Sequence, residues 1–139
     1  MEVTAEPTDA WFDTWFGVMS SSPAARATAR RILEQVGPVS GYATLASNGT
    51  PVAVGRAVAE RGWAGIFGMA TLPEARGRGA ATAVLAALAA WAADHHATCL
   101  YLQVSSGNQD AERLYHRAGL DPHHTYRYRS RQVWGPAAA

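Results

Sequence analysis

The chain has 139 residues, 48% of them hydrophobic, and a formal net charge of +1; that is enough apolar content for one core and too little length for two. All twelve basic residues are arginines, scattered from Arg26 to Arg131, which excludes a lysine-dependent phosphate loop and leaves no basic block suited to nucleic acid. Cys99 is the single cysteine, so an internal disulfide and a cysteine-built zinc site are excluded, no metal is expected, and a reducing, cytoplasmic compartment fits. The N-terminal stretch MEVTAEPTDAW lacks a basic and an apolar leader region, and no uncharged apolar run approaches spanning length, so neither secretion nor a membrane partner is expected.

In chain order, a short extended segment at Glu2 to Ala5 precedes PTDAWFDTWFGVM, where Trp11, Trp15 and Met19 recur at intervals of four behind Thr8 or Asp9 as cap; this spacing predicts a first helix. A second helix starts at Ser22 and Pro23 and stops at Gly37 and Pro38. GYATLAS and PVAVGRAVA are strand-like runs joined through Asn48-Gly49, a strong hairpin signal, and WAGIFGMAT is a third strand ended by Pro73. Ala81, Val84, Leu85, Leu88, Trp91 and Ala92 then fall on one face of a helix. CLYLQV has the continuous apolar character of a buried parallel strand. NQDAERLYHRAG is a helix closed by Gly119, and His124 to Val133 make a last strand. The order is an α/β (α+β) one: a mixed sheet with helices on its faces, in one domain over residues 1–134 with a tail at 135–139.

Between the third strand and its helix lies TLPEARGRGAATAVLAAL. A helix N-terminus carries unpaired N–H groups and a partial positive charge, and glycines let an anion approach the backbone. Arg76, Gly77, Arg78 and Gly79, with the small Ala80 and Ala81 in the first turn, therefore make a nest for a phosphate or pyrophosphate; as bare chain they also describe a plain turn with solvated arginines.

The pattern of Arg76, Gly79 and Ala81 resembles the acetyl-CoA loop of the GNAT superfamily of acetyl-CoA-dependent N-acetyltransferases, Arg/Gln-x-x-Gly-x-Gly/Ala between a strand and a helix. A second family pattern follows in order, at Asn108, Ala111, Leu114, Tyr115, Gly119 and Leu120. The resemblance implies a mostly antiparallel sheet of about six to seven strands with about four helices, in which a splayed parallel pair forms the CoA cleft. It further implies that Met69, Ala70 and Thr71 pair with pantetheine, that the N–H groups of Gly77 to Ala81 hold the pyrophosphate, and that Asn108 and Ala111 border the cofactor. Tyr115 takes the part of the general acid that protonates departing CoA thiolate, its phenol being protonated at neutral pH; a core aromatic is the alternative for the same residue.

The strand before the loop has no carboxylate where many family members place a base. Glu60 acting through water is the substitute considered, with His123 and His124 as further candidates. Trp11, Trp15, Phe67, His124 and Tyr126 are the residues expected to line the acceptor site, although an aromatic stripe at helical spacing equally describes a core. With few acidic residues near these segments, the acceptor expected is a small-molecule primary amine rather than a polycation. A protein N-terminus or lysine is the alternative acceptor. The FGMAT and YRYR segments are also similar to the C-terminal half of tandem acetyltransferases, which leaves a non-catalytic acyl-CoA sensor as another reading. The resemblance admits a homodimer.

Overall fold

Asn48 and Gly49 join β2 (Val39–Ser47) to β3 (Thr50–Glu60), and both have positive φ, 52° and 82°. Two successive positive angles make a type I′ turn, whose twist matches that of the strands it connects. The same geometry recurs between β3 and β4 (Trp63–Thr71), where Arg61 and Gly62 have φ of 55° and 83°. The meander of three antiparallel strands expected from the sequence follows from these two turns. β1 (Glu2–Thr4) adds antiparallel to β2, and β5 (Cys99–Leu102) adds beyond β4, giving the order β1-β2-β3-β4-β5. β5 begins where Thr98 and Cys99 donate to the carbonyl of Gly62, at the start of β4, so after the intervening helix the two strands run the same way.

In the computed structural model, residues 1–19, 25–34, 39–102 and 109–120 are described, and the chain divides into two units, Met1–Tyr101 and Leu102–Ala139. The first unit holds this sheet with α1 (Asp9–Met19), α2 (Arg26–Glu34) and α3 (Ala80–Asp94). The expected Ser22 cap, the Gly37-Pro38 stop, the last strand and the tail lie outside the described residues.

The two faces of the sheet are built differently. On one face, Gly41, Ala43, Ala53, Gly55 and Ala57 present almost no side chain, so α3 settles close, with Val84, Leu85, Leu88 and Ala92 buried. A Cβ on Gly41 would lie 2.5 Å from Trp91, and one on Gly55 would lie 2.6 Å from Met69 Sδ, 2.8 Å from Val84 and 2.9 Å from Leu88. Gly55→Ala is therefore expected to destabilise the fold by about 1–3 kcal/mol through overpacking, measured by urea denaturation; an unchanged midpoint would show that α3 can retreat at no cost.

On the opposite face Trp11, Phe12 and Phe16 of α1 pack on Tyr42, Val54 and Ala70. The helix is capped by Thr8, whose hydroxyl accepts from the Trp11 N–H at 3.0 Å, one of the two caps the sequence offered. Met19, by contrast, is exposed: the buried stripe runs through Trp11, Phe12 and Phe16, which fall on the side of α1 toward the sheet.

β5 differs from expectation in burial. Cys99 is exposed and Tyr101 is 47% exposed; among the described residues Trp63 and Phe67 flank the Tyr101 ring, each with ring centroids 6.2 Å away, and it lies against Gly65.

In the second unit α4 (Gln109–Arg117) closes as expected at Gly119, φ 94°. Gly119 N–H donates to His116 O and Leu120 N–H to Tyr115 O, the paired bonds of a Schellman motif. Asp110 and Glu112 in its first turn and His116 and Arg117 in its last complement the helix dipole.

Candidate active site

β3 and β4 fall out of step at one place. Arg56 pairs with Phe67 and Val54 with Ala70, so Gly55 alone faces both Gly68 and Met69. Gly68 has φ of 61°, which identifies a bulge with glycine in its left-handed position. At Gly55, the residue opposite the bulge, the indole Nε1 of Trp11 donates to the carbonyl at 3.0 Å inside the core. A buried carbonyl left unpaired costs about 1–3 kcal/mol. Trp11→Phe should thus lower stability by about that amount while keeping most of the apolar packing; the check is thermal unfolding, and an unaltered melting curve would mean the bulge does not need the indole.

After the bulge the ladder resumes, with Ala70 opposite Val54, Thr71 opposite Ala53 and the Leu72 N–H donating to Val52 O at 2.9 Å, and the chain then enters the loop. A single 3₁₀ turn, Pro73–Ala75, follows, and Arg76 Nε donates back to the Thr71 carbonyl at 3.1 Å. Gly77 and Gly79 both take the left-handed conformation, at φ 79° and 80°, and a Cβ on either would touch nothing within 4 Å. Gly79 is the N-cap of α3 and no side chain caps the helix there. The first intrahelical bond runs from Ala83 N–H to Gly79 O, so the N–H groups of Ala80, Ala81 and Thr82 have no partner within the helix. Open space, exposed donors, the positive helix end and the exposed Arg78 coincide. Such an arrangement of backbone donors is chemically suited to an anion.

The expected site residues separate as follows. Met69, Ala70, Thr71, Arg76, Gly77, Arg78, Gly79, Ala80 and Ala81 lie on one continuous path from bulge to helix. Trp15 and Phe67 lie beside the bulge: a Cβ on Gly68 would stand 3.5 Å from Trp15 Nε1, and Phe67 is 39% exposed on the same sheet face. Trp11 has no exposed surface, so its part is to hold the bulge from inside rather than to line a pocket. Glu60 needs a correction. It pairs with Trp63 at the first residue of β4, and six strand residues separate Trp63 from Met69, a span of about 20 Å. One water cannot bridge that distance. The expectation arose because Glu60 is close to β4 in sequence, but the hairpin puts it at the wrong end. Asn108, His123, His124 and Tyr126 lie outside the described residues.

In the second unit Ala111 and Tyr115 are four residues apart on α4, both half-buried, and so share a face. Burial raises the Tyr115 phenol above its ordinary 10.0 by disfavouring the phenolate. Such a group stays protonated through neutral and mildly alkaline pH, as a proton donor must.

Arg56 was not singled out from the sequence. The signal was present: in PVAVGRAVA it falls two residues from Val54, which puts a charge on the buried face of the strand. Among the described residues no three His, Cys, Asp or Glu side chains approach closely enough to hold a metal, and no helix is long and apolar enough to cross a membrane.

The family model of the acetyltransferase (GNAT) family matches residues 5–120. The chain belongs to that family. An uncharacterized N-acetyltransferase of Bacillus subtilis, YobR, is 28% identical over 124 residues, which cover 89% of this chain and 50% of the relative; the chain thus spans about half the length of the curated relative it matches. Among solved structures, the aminoglycoside acetyltransferase AAC(6')-Iy in complex with the bisubstrate analog CoA-S-monomethyl-acetylneamine superposes with a TM-score of 0.70 at 16% identity, covering 94% of this chain and 99% of the other. A ribosomal-protein-alanine N-acetyltransferase from Brucella melitensis biovar Abortus 2308 gives 0.69 at 15% identity, with 91% and 97% covered. At these identities the likeness is one of fold, and the two proteins are named for different acceptors.

Proposed function

We propose that the chain transfers the acetyl group of acetyl-CoA to the primary amine of a small-molecule acceptor by direct attack. The observation that carries this reading is the bulged end of β4 leading into a loop whose two left-handed glycines leave the N-terminus of α3 open. Pyrophosphate would lie on the N–H groups of residues 77–81, with Arg78 adding charge, and the pantetheine arm along Met69 to Thr71. Acetyl-CoA supplies the activated acyl carbon; the protein supplies position and polarisation. A backbone N–H at the bulge, near Met69, polarises the thioester carbonyl. The amine nitrogen bonds to the carbonyl carbon, the carbon–sulfur bond breaks, and the thiolate takes a proton while the nitrogen loses one, so CoA thiol and an acetamide leave. Tyr115 is assigned the proton given to sulfur, on its place in the second family pattern and its raised pKa. β4 has no carboxylate and Glu60 is remote, so the acceptor is taken as the free amine, and the rate should rise with pH toward the pKa of the acceptor itself.

Calorimetric titration with acetyl-CoA, followed by thiol release over a panel of amines, amino acids and peptides, tests the proposal. Binding with turnover on a small amine is the expected result. Binding with no turnover on any of them would favour the acyl-CoA sensor, which the absence of a β4 carboxylate also fits, and no binding would defeat both readings.

A further inference from the structure

Tyr42, Arg56 and Phe67 stand opposite one another on β2, β3 and β4, in one row across the α1 face of the sheet. The guanidinium carbon of Arg56 lies 5.7 Å from the Tyr42 ring centroid and 5.6 Å from that of Phe67. Two rings hold the cation in place through their negative faces. Its Nε is enclosed and has no hydrogen-bond partner, and among the described residues no carboxylate pairs with it. Asp9 and Asp13 are taken by Arg30 and Arg26. Glu60 is four residues further along β3, about 13 Å away.

Arg56 is half-buried as a residue, and an enclosed N–H on its charged group with no acceptor is costly to keep, because the rings replace water there only in part. The fold does not need this cation: the neighbouring row on the same face, Thr44, Val54 and Ala70, is closed by α1 without any charge. Arg56 also stands beside the bulge, paired with Phe67, the residue just before Gly68. Trp15 Nε1, 3.5 Å from where a Gly68 Cβ would be, is a second donor on this side.

We propose that Arg56 determines acceptor specificity by binding a carboxylate, so that the acceptor is an amino carboxylate, in class a free α-amino acid, whose amine is set toward the bulge. The inference rests on the acetyl-transfer reading for the position of the reacting carbonyl. A carboxylate would give the guanidinium the charge-assisted partner it lacks, and an α-amino acid carries its amine one carbon from that anchor. The covalent step is unchanged: nitrogen joins the acetyl carbon, CoA leaves as the thiol, and the carboxylate is not consumed.

The test is thiol release by the full chain with L-phenylalanine, L-methionine and L-glutamate, each beside its α-amide. Amides have less basic amines and so more free nucleophile, which makes a preference for the acid run against intrinsic reactivity. The wild type should favour acids by about 10- to 100-fold in kcat/KM, the size expected for a charged hydrogen bond. Arg56→Gln should bring that ratio toward one and Arg56→Lys should leave part of it, with the acetyl-CoA Kd of each variant serving as the check on folding. Amides used as well as acids, or a preference that survives in Arg56→Gln, would overturn the inference and leave acetyl transfer standing. Should no amine turn over, N-acetyl-L-phenylalanine is titrated into the CoA-loaded protein. Binding by wild type that is lost in Arg56→Gln would support the carboxylate site while the transfer reading falls; no binding by wild type would overturn the site.

Discussion

Replacing Gly79 with glutamate should weaken acetyl-CoA binding about 100-fold or more, the equivalent of losing two charged hydrogen bonds. Two effects act together. Gly79 sits at φ 80° with open space where a Cβ would go, so the new side chain projects into the volume assigned to pyrophosphate and brings a negative charge. Its backbone also resists that angle, since a left-handed conformation costs a residue with a Cβ about 1–2 kcal/mol. Backbone strain alone could lower affinity indirectly, and Gly62→Glu separates the causes. Gly62 has φ of 83° and equally open surroundings, but it turns the chain at the other end of β4. Calorimetry should show acetyl-CoA affinity lost in Gly79→Glu and retained in Gly62→Glu, with both variants somewhat less stable. Normal affinity in Gly79→Glu would remove the loop from the cofactor site.

Tyr115→Phe is expected to lower kcat by about 100- to 10,000-fold, the usual contribution of a positioned general acid, with the acetyl-CoA Kd within about twofold of wild type. The phenol ring is kept and only the proton is removed, so a residue that merely packed would show neither change. The pH profile adds a second readout. Burial raises the Tyr115 pKa above 10.0, so the acid form persists across neutral and mildly alkaline pH, and the wild-type rate should decline only above the ordinary phenol value. In the phenylalanine variant that alkaline limb should vanish from whatever rate remains. Full activity in the variant would return Tyr115 to the alternative of a half-buried aromatic.

Much of the scaffold was legible because it is encoded locally. Asn48-Gly49 specifies a turn that needs two positive φ angles, Thr8 supplies the oxygen that caps α1, and Gly119 supplies the left-handed residue that ends α4. Each depends on neighbours within a few residues. The loop at Arg76 to Ala81 was legible for the same reason: its left-handed glycines and the helix start that follows them are consecutive residues, read directly. Glu60 misled by the same logic, since proximity in sequence across a hairpin was taken for proximity to the site. The expected burial of β5 failed for a related reason: an apolar run states that a strand can be buried on both faces, but the elements packed against it decide whether it is.

The sequence by itself determined the order of the described elements, the turn at Asn48-Gly49, the glycine-rich loop before α3 and the family, because these are properties of short segments and their succession. The tertiary structure alone decided that Trp11 donates to the Gly55 carbonyl opposite the Gly68 bulge, that Gly41 and Gly55 are required by the side chains of α3, and that the Arg56 guanidinium lies between Tyr42 and Phe67 with its Nε enclosed. Those are contacts between residues from 11 to 50 positions apart. They depend on strand register and on which face each helix covers, and a shift of one residue in register would place every one of these side chains on the other side of the sheet.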